Sequence, residues 1–134
     1  MANVTVLLID ASTEGERLFR EELALVRDQP FALEVARTLA AALAQLRQRH
    51  FDVILLDLNL PDSLGLTTFL RLQPKAGLQP IIVLVGQADE DVGVEAVERG
   101  ALDFLIKQQI VSTLLAKALR YATERTHTML ALKA

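Results

Sequence analysis

The sequence predicts an α/β protein: a doubly wound parallel sheet of five strands with helices on both faces. Three observations predict it. The runs Val4 to Ile9, Val53 to Leu56 and Ile81 to Val85 are continuously apolar, as strands buried on both faces are. The segments between them carry apolar residues at helical spacing instead. The runs also end abruptly, at Asp10, Asp57 and Gly86, where the chain turns out of the sheet.

Each element has its own signature. Val4 to Ile9 is the first strand, and Ser12 or Thr13 can cap a helix whose apolar positions are Leu18, Phe19, Leu23 and Val26. Pro30 breaks that helix, and Phe31 to Ala36 reads as a weaker strand near an edge because Glu34 interrupts it. Leu39 to Arg49, rich in Ala, Leu, Gln and Arg, is a helix by propensity. The central strand Val53 to Leu56 ends in Asp57, and the turn formers Asn59, Pro61, Asp62 and Ser63 put a loop above it. A helix from about Leu64 to Leu72 follows, then a fourth strand introduced by Pro80 and a helix from Asp89 to Arg99 that Gly100 terminates. Ala101 to Ile106 is the fifth strand, closed by Lys107, and the last helix runs from Ile110 to about Leu130.

Composition bounds the function. At 134 residues and 51% hydrophobic content the chain fits one domain with a sizeable core. A formal net charge of -3 leaves no basic footprint for direct contact with nucleic acid. The absence of cysteine rules out a disulfide framework, a thiol nucleophile and a cysteine metal site. The opening MANVTVLLID lacks a basic region and a cleavage-like site, and no apolar run is long enough for a bilayer, so a cytoplasmic protein without membrane contact is expected.

In an open parallel sheet, sites form beyond the carboxyl ends of the strands. Strands one, three and five end at Asp10, Asp57 and Lys107, so two carboxylates and an ammonium converge from distant parts of the chain. Asp57 has a plainer reading as a cap for the next helix. Asp62 and Ser63 lie closer to that helix, however, and can cap it themselves. A carboxylate can act as a nucleophile toward phosphorus, and the transferring group needs positive charge, which Lys107 and a divalent ion can supply.

In the segments LLID, DVILLDLNLPDSLGL, PIIVLVG and GALDFLIK, the chain resembles a receiver domain of bacterial two-component response regulators, over nearly its whole length. The resemblance implies a flavodoxin-like (βα)5 sheet of strand order 2-1-3-4-5. It implies a phosphoryl group accepted on Asp57 from a histidine kinase, a phosphotransfer protein or a small phosphodonor, with Lys107 contacting that group. It further implies Mg2+ held by Asp10, Asp57 and the carbonyl of Asn59, and a conformational switch at Val85 and Phe104.

The chain departs from that pattern in ways that bear on mechanism. Receivers carry two adjacent acids after strand one, where this chain reads Asp10 then Ala11. The register of Leu18 and Phe19 puts Ala11 at the second acid, and a one-residue shift would put Asp10 there; either way one carboxylate is missing and Mg2+ binding weakens. Val85 stands where the family has serine or threonine. A hydrogen bond to a charged group contributes roughly 1.5 to 3 kcal/mol, so losing it removes a bias of about 10- to 150-fold toward the phosphorylated conformation. Phe104 then has two readings, a switch aromatic or a core residue packed against Val85. Gln108 replaces the proline common after the lysine.

Three functions follow: a receiver phosphorylated at Asp57, a degenerate receiver acting as a phosphorylation-independent interaction or dimerisation module, and a flavodoxin-like binding protein or enzyme. The third lacks a Gly-rich phosphate loop after strand one, where DASTEGE stands, and has only 4% aromatic residues to stack a flavin. The resemblance also implies a homodimer through the fourth helix, fifth strand and fifth helix. Residues 1–122 make the receiver-like domain, and 123–134, where Met129, Leu130 and Leu132 lack an obvious core, extend the last helix or connect it to an output domain outside this chain. His50 and His127 are isolated and carry no assigned role.

Overall fold

Burial sorts the strand residues into two sets by parity, and that sorting builds the molecule. The computed structural model describes residues 3–133, with side chains through residue 128. Strands β1 (Val4–Ile9), β2 (Phe31–Ala36), β3 (Val53–Asp57), β4 (Ile81–Val85) and β5 (Asp103–Ile106) form one sheet. They pair in parallel in the order 2-1-3-4-5, so β2 is an edge strand as Glu34 suggested. Helices α1 (Thr13–Ala24), α2 (Leu39–Gln48), α3 (Leu66–Ala76), α4 (Glu90–Glu98) and α5 (Ser112–Lys133) cover it.

Leu7, Ile9, Ile54, Leu56, Val83 and Val85 face one side, where Leu39, Phe69, Leu72 and Ala96 of α2, α3 and α4 meet them. Their neighbours Val6, Leu8, Val53, Leu55, Ile82 and Leu84 face the other, against Phe19 and Leu23 of α1 and Leu115 and Leu119 of α5. Strands covered on both faces need no polar alternation, which is why β1, β3 and β4 read as unbroken apolar runs.

Local chemistry moved several boundaries. Asn59–Leu60 and Ser63–Leu64 pair as a short antiparallel hairpin where the sequence predicted only a loop. Gly65, at φ 71, then turns the chain, so α3 starts at Leu66 rather than Leu64. It also runs past Leu72 to Ala76, with Pro74 in its last turn and Ala76 buried. Neither Asp62 nor Ser63 caps α3, which has no side-chain cap. Asp62 instead accepts from the amides of Leu39 and Ala40 at the start of α2, and Ser63 meets Thr68. Short 3-10 turns at Gln87–Asp89 and Lys107–Gln109 delay α4 and α5 by one or two residues, within the usual fraying of helix ends. Ser12 caps α1 as anticipated, accepting from the Gly15 amide. Helix α5 continues without a break to Lys133; the side chains of Met129, Leu130 and Leu132 lie outside the described residues. Among the described residues, no helix is long and apolar enough to cross a membrane.

Candidate phosphoryl-acceptor site

The carboxyl ends of β1, β3 and β5 carry the three charged residues into one cluster. Lys107 Nζ lies 2.7 Å from Asp57 Oδ2 and 3.7 Å from Asp10 Oδ2. Parallel pairing makes this possible, because Ile9 aligns with Leu56 and each strand then releases its next residues above the same rim. Asp57 is 7% exposed, and its second oxygen, Oδ1, accepts from the Asn59 amide at 3.0 Å. That bond ties the first residue of the following segment, Asn59, to the carboxylate.

Asp10 is more deeply placed, at 1% exposure. Its Oδ1 accepts from the Ser12 amide at 2.9 Å, while Oδ2 is buried with no hydrogen-bond partner. Burial raises its pKa above the ordinary carboxylate value; the Ser12 amide and Lys107 pull it down, and Asp57 pushes it up. Burial also opposes the charge on Lys107, but Asp57 and Asp10 outweigh it and hold the ammonium above its usual pKa. The cluster therefore combines a firmly cationic lysine with a carboxylate that burial disfavours as an anion.

A buried acid oxygen without a donor, beside a second carboxylate, fits a hard cation. The donor set is thin: among the described residues no three His, Cys, Asp or Glu side chains cluster to hold a metal. Ala11 stands exposed next to Asp10 and offers no ligand. Asp10, Asp57 and the Asn59 carbonyl are the groups that could hold Mg2+.

Val85 and Phe104 lie on the helix α2, α3 and α4 side of the sheet. Val85 is buried at the end of β4, beside a cavity of about 100 Å³ lined by Asn59, Leu84 and Asp89 among others. Phe104 aligns with Val83, and its half-buried ring rests on the backbone of α4 at Gly93. A Cβ built on Gly93 would sit 2.6 Å from ring atom Cδ2.

Sequence reasoning missed the residues that hold this arrangement in place. A side chain at Gly15 would collide with the Asp10 carboxylate, so glycine makes room for the buried acid. Both Gly15 and Gly93 sit inside helices, where glycine costs about 1 kcal/mol, and that cost was the available signal of close approach. Gln108 Oε1 accepts from the Gln87 amide at 3.1 Å and ties the loop after β4 to the turn after β5. Arg37 donates to the carbonyls of Asp10 and Ser12 and pairs with Glu16. No short-range pattern announces either contact.

The response regulator receiver domain model matches residues 6–119, and the chain belongs to that family. It is 28% identical over 125 residues to the transcriptional regulatory protein ZraR of Escherichia coli O157:H7, covering 93% of this chain and 27% of that relative. This chain thus spans about a quarter of that relative's length. Among solved structures it resembles the signal receiver domain of an HD domain-containing protein from Pseudomonas fluorescens Pf-5, with TM-score 0.83 and 25% identity over 98% of this chain and 94% of that one. The receiver domain of a putative Luxo repressor protein from Vibrio parahaemolyticus gives TM-score 0.84 at 22% identity, over 99% of each chain.

Proposed function

We propose that this receiver accepts a phosphoryl group on Asp57 from a histidine kinase, a phosphotransfer protein or a small phosphodonor. The observation that carries the reading is the Lys107 ammonium 2.7 Å from the Asp57 carboxylate, at the open rim of the sheet. An oxygen of Asp57 attacks phosphorus, the bond from phosphorus to the leaving nitrogen or oxygen breaks, and the leaving atom keeps that electron pair and takes up a proton. The product is an acyl phosphate. Lys107 then neutralises phosphoryl oxygens in place of the free carboxylate, and the Asn59 amide keeps the acceptor oriented. Mg2+, when bound by Asp10, Asp57 and the Asn59 carbonyl, adds positive charge at the transferring group. With Ala11 contributing nothing, its affinity is weak.

Val85 and Phe104 mute the conformational response, since valine donates no hydrogen bond and the Phe104 ring is already seated on Gly93. That seating favours a second reading, a degenerate receiver that presents one face regardless of phosphorylation. Under either reading the domain, residues 1–122, works in the cytoplasm and passes its signal through residues 123–134 to an output domain or a downstream protein. The exposed Val94 and Val97 on α4 and Leu114 and Tyr121 on α5 support a homodimer through α4, β5 and α5.

Incubation with Mg2+ and a small phosphodonor, followed by intact mass, separates the two readings. The first requires one added phosphoryl group that Asp57→Asn abolishes. No addition over hours, with dimerisation unchanged, favours the second. Ala11→Asp with Val85→Thr should raise the labelling rate at least tenfold, since supporting groups around metal and phosphoryl sites are each worth that much. No gain from either change would mean that neither gap limits the reaction.

A further inference from the structure

The two groups from outside β3 that the proposed cation site would use, Asp10 and the Asn59 carbonyl, belong to separate segments, the loop after β1 and the hairpin after β3. What spaces those loops is visible on the outer side of the site, at the junction between β2 and α2. Arg37 Nη1 donates to the carbonyl of Asp10 at 3.2 Å and to that of Ser12 at 3.1 Å, and its other nitrogen pairs with Glu16. It therefore grips the loop after β1 on both sides of Ala11. Two residues later the chain grips the other loop: the amides of Leu39 and Ala40 donate to Asp62 Oδ1 and Oδ2 at 2.8 and 3.0 Å. Asp62 forms the turn of the hairpin whose first residue is Asn59. Arg71 of α3 donates to the Asp62 carbonyl, and the Gly65 amide and Thr68 hydroxyl hold Leu58 from the inner side.

The Asp62 contact exceeds what α2 needs as a helix. Thr38 already caps it, accepting from the Ala41 amide at 3.0 Å. A carboxylate spanning two consecutive amides is a charge-assisted, bidentate contact, which fixes geometry as well as adding stability. The geometry points to the β2–α2 junction as a positioning element for the acceptor site: Arg37 and Asp62 are positioning residues that set the Asp10 loop and the Asn59 hairpin at a fixed separation. This rests on the proposed cation site, but the positioning itself is a property of the protein alone. With Ala11 contributing no ligand, the remaining oxygens depend all the more on being held at the right spacing, because supporting contacts of this kind are commonly worth about 10- to 100-fold in metal affinity.

The test compares Asp62→Ala and Arg37→Met with Thr38→Ala, which removes a cap from the same helix and leaves both grips intact. Mg2+ affinity is read by titration calorimetry, and loop order by hydrogen exchange of the Ser12 and Asn59 amides. Asp62→Ala and Arg37→Met are each expected to weaken Mg2+ by about tenfold and to speed exchange at both amides, so that Asp62→Ala also loosens Ser12, on the loop it does not touch. Asp62→Asn, which keeps one acceptor oxygen, should recover part of each effect. Thr38→Ala should lose stability with affinity and exchange unchanged. Equal effects from Asp62→Ala and Thr38→Ala would overturn the proposal and reduce Asp62 to a helix cap. If the wild type binds no Mg2+, the cation site fails as a reading, and the exchange pattern alone still decides the positioning role.

Discussion

Asp10 keeps a carboxylate almost wholly inside the protein with one oxygen that accepts no hydrogen bond and has, among the described residues, only the Lys107 ammonium, 3.7 Å away, as counter-charge, and that is a cost that packing alone would not select. Its pKa is raised above 3.8 chiefly by burial, so the folded state holds the proton longer than the unfolded chain does. Stability tied to this residue is therefore greatest below pH 3.8 and falls as the pH rises through the folded value. Asp10→Asn should consequently be more stable than wild type at pH 7, by about 1–3 kcal/mol in urea unfolding, the range for a buried group freed of its desolvation penalty. The difference should close below pH 3.8. Gly93 offers a second test at this scale. An alanine there gains about 1 kcal/mol of helix propensity but overlaps Phe104, and overpacking typically costs 1–3 kcal/mol, so Gly93→Ala should destabilise on its own. In a Phe104→Ala background the same change should stabilise, and a double-mutant cycle measures the reversal. At this scale the sequence was half legible. Asp57 and Lys107 stand out because each ends an apolar strand run, whereas Gly15 and Gly93 owe their importance to side chains far away in sequence, which no local pattern encodes.

Elements with one strong period were readable to the residue. β1 and the strand from Ile81 to Val85 fall where the apolar runs predicted, because burial on both faces leaves nothing but apolar residues between turn formers, and β2 also keeps its predicted bounds, with exposed Glu34 marking it as an edge strand. The hairpin after Asp57 was not readable, since two-residue arms are too short to show alternation and Pro61 lies between them. Asp62 was assigned to the nearer helix by proximity in sequence, yet its amide partners belong to α2, reached only through the tertiary fold. That bond leaves a pH signature. The Leu39 and Ala40 amides hold the Asp62 carboxyl below 3.8, so its contribution is fully present above pH 3.8 and is lost as the pH falls through the lower folded value. Asp62→Asn should flatten that part of the acid-unfolding curve and leave the neutral-to-basic limb unchanged. In the sheet itself, Leu55→Ala at the centre of β3 should cost about 2–5 kcal/mol, measured by urea unfolding, because its site is sealed by α1 and α5.

The whole molecule is a parallel sheet whose strand order brings three distant ionic groups to one rim, and this was the most legible level of all. Strict alternation of strand and helix leaves few topologies, and the parallel pairing then dictates that residues at or just past the carboxyl ends of β1, β3 and β5 share an edge. What stayed illegible was how Phe104 and the loop after β4 are held, because Phe104 on Gly93 and Gln108 on Gln87 are contacts between elements that only the assembled fold creates. The central claim is that this rim presents Asp57 as the phosphoryl acceptor. Borohydride reduction after treatment with a small phosphodonor tests it most directly, since it converts an aspartyl phosphate to homoserine that peptide mass spectrometry can locate. Homoserine at position 57, and at neither 10 nor 62, is the expected result. An unchanged residue 57 after prolonged treatment, or homoserine at another position, would contradict it.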